Sequence, residues 1–166
     1  MATSATLIDS LTHLARIATH TAGAALLGMA AVEAWQVFAR YVLNDSPGWT
    51  EPVALLLLNT AMSLGAAVGV RSWSHFGFFV LAERAPLPLR RILRALTSLI
   101  VAALGATLAV WASMLLFDGI GISAAGTTLP QSAVYLPMAI GGALMCLFAI
   151  ERLMASTPVP VLPAEA

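Results

Sequence analysis

The sequence predicts an all-α integral membrane protein. We expect a four-helix bundle with both termini in the cytoplasm and an amphipathic interfacial arm between helices 2 and 3. Apolar residues make up 60% of the 166-residue chain, charged residues make up 10%, and the mean hydropathy is +0.90, whereas about 25% of the residues in soluble domains are charged. Four apolar stretches approach the roughly 20 residues that a membrane helix needs, and nearly all arginines fall on one side of them. Because lipid cannot satisfy backbone polar groups, such stretches form helices.

The four predicted spans are bounded by charges, glycines and prolines. The first covers about 17–42 and contains Glu33 and Arg40, while the second covers about 50–70. The third covers about 92–117, and the fourth covers about 132–153, after a loop rich in glycine. The first apolar stretch is longer than that of a signal peptide, and we expect it to be an uncleaved helix. Together the spans form a single membrane domain over 1–166, with a tail at 155–166.

The orientation is predicted from eight arginines, because the chain contains no lysine. Seven arginines lie before the first span, in or beside the loop between the second and third spans, or at the end of the fourth. Only Arg40 borders the other side. Since cytoplasmic loops carry the excess of positive charge, both termini and the middle loop are expected in the cytoplasm.

The middle loop contains an apolar segment, about 73–85, that is too short to span a membrane. Its aromatic residues, beginning with Trp73, and its flanking arginines are typical of a segment lying in the inner interface of the bilayer. His75 belongs to the same segment. A loop folded over the bundle is the alternative interpretation.

The hairpin between the first two spans concentrates polar and aromatic residues. Its turn formers occupy 44–48, and Tyr41 and Trp49 are suited to the headgroup region. Thr50 is a candidate helix cap, and Glu51 falls in the first turn of the second span, where the helix dipole favours an acid. Arg40 and Glu51 either contact each other or a partner, or they are independent residues of the membrane interface.

A polar stripe is predicted on the first span, because Gln36 and Arg40 follow Glu33 by three and seven residues. A charged carboxylate near the middle of a span is costly unless it is paired or hydrated. Asn59 of the second span is a candidate partner for Glu33. Glu33 could be a proton-coupling carboxylate, part of a docking seam for another membrane subunit, or an internal bundle contact. The sequence does not decide between the last two.

Small residues indicate where helices could pack closely. Gly65 and Gly69 form a GxxxG pattern in the second span, and Gly105, Ala109 and Ala112 share a face of the third. The sequence contains no phosphate-binding glycine loop, metal-ligand cluster or nucleophile–base set. It therefore predicts no enzyme activity, no cofactor or metal in this chain, and no nucleic-acid partner.

The stretch from Gln36 to Phe79 resembles the DctQ family, the small membrane subunit of tripartite ATP-independent periplasmic (TRAP) transporters. Members share an Arg-Tyr pair ending the first helix, a Trp and acidic residues opening the second, a Gly-Ala-rich second half, and an Arg and a His before an amphipathic arm. The matching residues are Arg40, Tyr41, Trp49, Glu51, Gly65, Ala66, Arg71 and His75. The last span is also similar, through Pro130, Tyr135, Pro137 and Glu151.

The resemblance implies a three-part transporter in the bacterial inner (cytoplasmic) membrane. A periplasmic substrate-binding protein would capture the solute, usually an organic acid, and a large multi-helix membrane subunit would carry it with sodium. This chain would brace the large subunit among membrane lipids and hold neither solute nor sodium. One alternative is a stand-alone four-helix proton-coupled small-molecule antiporter that uses Glu33. Another is a membrane anchor for a soluble enzyme.

Overall fold

Four long helices make up most of the structure, which is a computed structural model describing residues 2–72 and 86–154. The predicted arm at 73–85, with Trp73 and His75, and the predicted tail at 155–166 lie outside the described residues. The helices are α1 (Ala2–Phe38), α2 (Thr50–Ser72), α3 (Leu87–Asp118) and α4 (Leu136–Met154).

Each helix contains a segment long and apolar enough to cross a membrane. The four segments are Asp9–Leu43, Thr50–Ser72, Arg91–Asp118 and Gln131–Met154. Within the described ranges, the extended structure amounts to one isolated bridge between Ser123 and Pro130. The predicted all-α class and four-helix bundle are therefore confirmed. The orientation of the termini stays a prediction.

The first helix is longer than its apolar run indicates. It begins at Ala2 rather than near residue 17, because residues 2–16 contain no glycine or proline to interrupt it. At its other end, a π-helical turn covers Ala39–Leu43. Asn44 ends this turn in the left-handed region, with φ 56°, and its backbone N–H donates to the Ala39 carbonyl. Asparagine tolerates this conformation better than most residues.

The helices pack in the spatial order α1, α2, α4, α3. Extensive contacts join α1 to α2, α2 to α4, and α4 to α3. Small residues permit the closest approaches: a Cβ added at Gly141 of α4 would lie 2.5 Å from the Ser63 Cβ of α2. A Cβ at Gly105 of α3 would lie 2.7 Å from the Cys146 nitrogen of α4. Both central contacts therefore depend on glycine.

The buried core lies towards one end of the bundle and draws residues from all four helices. Its members are Ala15, Ala67, Val70, Ala102, Phe148 and Ala149. Phe148 is the largest of them and is fully buried. At the opposite end, the hairpin after α1 touches the loop after α3, where Gly48 and Gly126 meet backbone to backbone. Gly126 has φ +78°, which favours glycine at this contact.

Candidate partner interface and its supporting ion pair

A buried ion pair joins the last turn of α2 to the end of α4. Arg71 Nε donates to Glu151 Oε2 at 3.1 Å, and Arg71 Nη2 donates to Glu151 Oε1 at 3.2 Å. The two side chains are only 7% and 10% exposed. Two parallel bonds between a guanidinium and a carboxylate fix orientation as well as distance. The pair therefore sets both the spacing and the register of α2 and α4.

The ion pair is completed by α1 and by an aromatic ring. Arg71 Nη2 also donates to Thr12 Oγ1 at 3.0 Å. The Arg71 guanidinium carbon lies 5.6 Å from the centre of the Phe148 ring, within cation–π range. Three helices thus converge on one cation. We call this region the ion-pair end, defined by Thr12, Arg71 and Glu151.

The neighbouring Arg152 makes a second link between the same helices. Its Nη1 donates to the Val70 carbonyl at 2.5 Å. That carbonyl lies in the last turn of α2, where backbone acceptors lack helical partners. The side chain therefore caps the C-terminal end of α2 from α4.

The sequence indicated only part of this arrangement. The sequence predicts that Arg71 lies beside the middle loop as a candidate interface or anchoring residue, whereas the structure buries it among three helices. From the sequence, Glu151 is only the acid that closes the fourth span, and Thr12 precedes the predicted start of the first. Opposite charges ending the second and fourth spans, at the same predicted depth, were the available signal for the pair.

Asn59 makes its contact with the segment before α4. Its Nδ2 donates to the Val134 carbonyl at 3.1 Å, so its amide is bonded there and not to Glu33. One turn further along α2, the Ser63 hydroxyl lies 2.9 Å from the Pro137 carbonyl. The Ser63 hydroxyl also lies 2.6 Å from the Asn59 carbonyl of its own helix, so its single proton is shared between the two acceptors. A second polar contact thereby joins α2 and α4.

The polar stripe of α1 is open to its surroundings. Glu33, Gln36 and Arg40 line a shallow pocket together with Val37 and Tyr41, all of them from the first helix and its π-helical turn. Within residues 2–72 and 86–154, the Glu33 carboxylate has neither a hydrogen bond nor an ion pair. The three polar residues share a side, as the spacing predicted.

The hairpin after α1 does not pair its charges within the described part of the chain. Arg40 Nη2 lies 3.4 Å from Ser46 Oγ, and Glu51 is exposed at the start of α2. Thr50 is fully buried, and its hydroxyl donates to the Pro47 carbonyl at 2.8 Å. The hydroxyl therefore holds the turn rather than accepting from the helix, as a cap would. We call this region, 40–51, the hairpin end.

Glu33 lies ten residues before Leu43, the last residue of the π-helical turn. It follows Thr12 by 21 residues, which is about 31 Å along a helix. The hydrocarbon core is about 30 Å thick, so Thr12 and Glu33 are separated along α1 by about that thickness. A Cβ at Gly28 would contact Leu57 at 3.4 Å, which places Glu33 level with the first turn of antiparallel α2. The depth of Glu33 in the membrane stays a prediction.

The remaining candidate residues occupy the surface of the bundle to different degrees. Tyr41 and Trp49 are 79% and 43% exposed at the hairpin end. Gly65 is exposed, and nothing lies within 4 Å of the position of its missing Cβ. Gly69 is half-buried on the same helix. Roles in anchoring or partner contact stay predictions for all four.

Comparison with known families identifies the chain. The family described as "Tripartite ATP-independent periplasmic transporters, DctQ component" matches residues 29–157, well over half of the sequence. The chain belongs to the DctQ family. A search of curated proteins gave no match. The matched range contains the polar stripe of α1, which includes Glu33, and the Arg71–Glu151 pair. Thr12, which accepts a hydrogen bond from Arg71, precedes the matched range.

Proposed function

We propose that this chain is the small scaffold subunit of a sodium-coupled, binding-protein-dependent TRAP transporter for organic acids. In this role it braces the large transport subunit. The observation that carries the proposal is the DctQ match across four helices that can span a membrane. A transporter component of this kind acts in a bacterial inner membrane, and the arginine distribution favours cytoplasmic termini.

A bracing role is supported by how the polar groups of the chain are used. The charged groups that converge inside the bundle, Arg71 and Glu151, are bonded to each other, and Arg71 also donates to Thr12. Asn59 is likewise bonded to the backbone. These contacts hold helices in register. We infer that the solute and sodium are bound by the large subunit.

The position of Glu33 counts against the antiporter alternative. A proton-coupling carboxylate of a stand-alone carrier has to be reached from both sides of the membrane in turn. Glu33 lines a shallow pocket whose walls come from the first helix and its π-helical turn, and not a cavity enclosed between helices. Its position is therefore better suited to contact a partner than to carry protons across.

Purification of the tagged chain in mild detergent tests the proposal. The chain should be expressed together with the other two components of the transporter. We expect a large multi-helix membrane protein to be recovered with it in a constant ratio. A monodisperse lone chain under conditions that keep the large subunit soluble would contradict the proposal.

A further inference from the structure

We draw no further inference here: the strongest candidate, the shallow pocket on α1 that is lined by Glu33, Gln36 and Arg40, carries none, because nothing in the structure shows what covers it.

Discussion

Arg71 and Glu151 are separated by 80 residues in the sequence and are joined by two parallel hydrogen bonds in the structure. Their side chains are 7% and 10% exposed. Because a buried charge that loses its partner keeps its desolvation cost, the two residues depend on each other. This contact determines how α2 and α4 are held, and Thr12 extends it to α1.

Removing the acid should destabilise the isolated chain. Glu151→Gln leaves the Arg71 guanidinium buried without a counter-charge, and we expect the free energy of unfolding to fall by about 3–5 kcal/mol. The measurement is equilibrium unfolding in mild detergent. Glu51→Gln is the matched control, because Glu51 is exposed and unbonded within the described ranges. Equal stability of Glu151→Gln and the wild type would contradict the bracing role of the pair.

Removing both charges together should cost less than removing one. In Arg71→Met with Glu151→Leu, apolar side chains of similar volume replace the pair, and no uncompensated charge remains in the core. The double variant should therefore be more stable than Glu151→Leu alone. A double-mutant cycle measured by the same unfolding experiment gives the coupling. Strictly additive losses would show that the two side chains do not interact.

The hydroxyl of Thr12 should contribute to the attachment of α1. Thr12→Val retains the shape of the side chain but removes the acceptor for Arg71 Nη2, and we expect a loss of about 1.5–3 kcal/mol. Thr12→Ser keeps the acceptor and should restore most of the stability. Thr107→Val serves as the control, because the Thr107 hydroxyl is exposed and bonds only within its own helix. A loss in Thr107→Val as large as that in Thr12→Val would contradict this assignment.

Gly65 of α2 and Gly141 of α4 should respond differently to substitution by alanine. A Cβ at Gly141 would lie 2.5 Å from the Ser63 Cβ, so Gly141→Ala should separate the helices and lower the melting temperature of the isolated chain. Nothing lies within 4 Å of a Cβ at Gly65, so Gly65→Ala should be neutral or slightly stabilising. The reverse order of melting temperatures would contradict the observed crossing of α2 and α4.

The hairpin end and the middle loop should be accessible from opposite sides of the membrane. In a Cys146→Ser background, Asp45→Cys should react with a membrane-impermeant thiol reagent applied from the periplasmic side. Glu83→Cys should react only after the membrane is permeabilised. Labelling of both variants from one side would contradict the orientation predicted from the arginines.

The membrane spans could be predicted from the sequence because an apolar run is a local signal. The ion pair could not, since it depends on α2 lying beside α4, and the sequence does not give the spatial order of helices. The side shared by Glu33, Gln36 and Arg40 followed from spacing alone. The full length of the first helix could not be predicted from hydropathy, because the helix extends from Ala2, well before the apolar run begins.

The contact of Asn59 illustrates the same limit. A polar amide within an apolar span predicts a hydrogen bond, and one is present. Its acceptor, the Val134 carbonyl, lies 75 residues away in the segment that leads into α4. Since the route of that segment is set by tertiary packing, the sequence favoured the nearer polar residue of α1 instead.

Reconstitution into liposomes tests the scaffold role most directly. Uptake of an organic acid under an inward sodium gradient should be measured with the binding protein and either membrane subunit alone or both together. We predict uptake with both subunits and none with this chain alone. Transport by the chain alone, or equal transport by the large subunit in its absence, would contradict the assignment of this protein as a non-transporting brace.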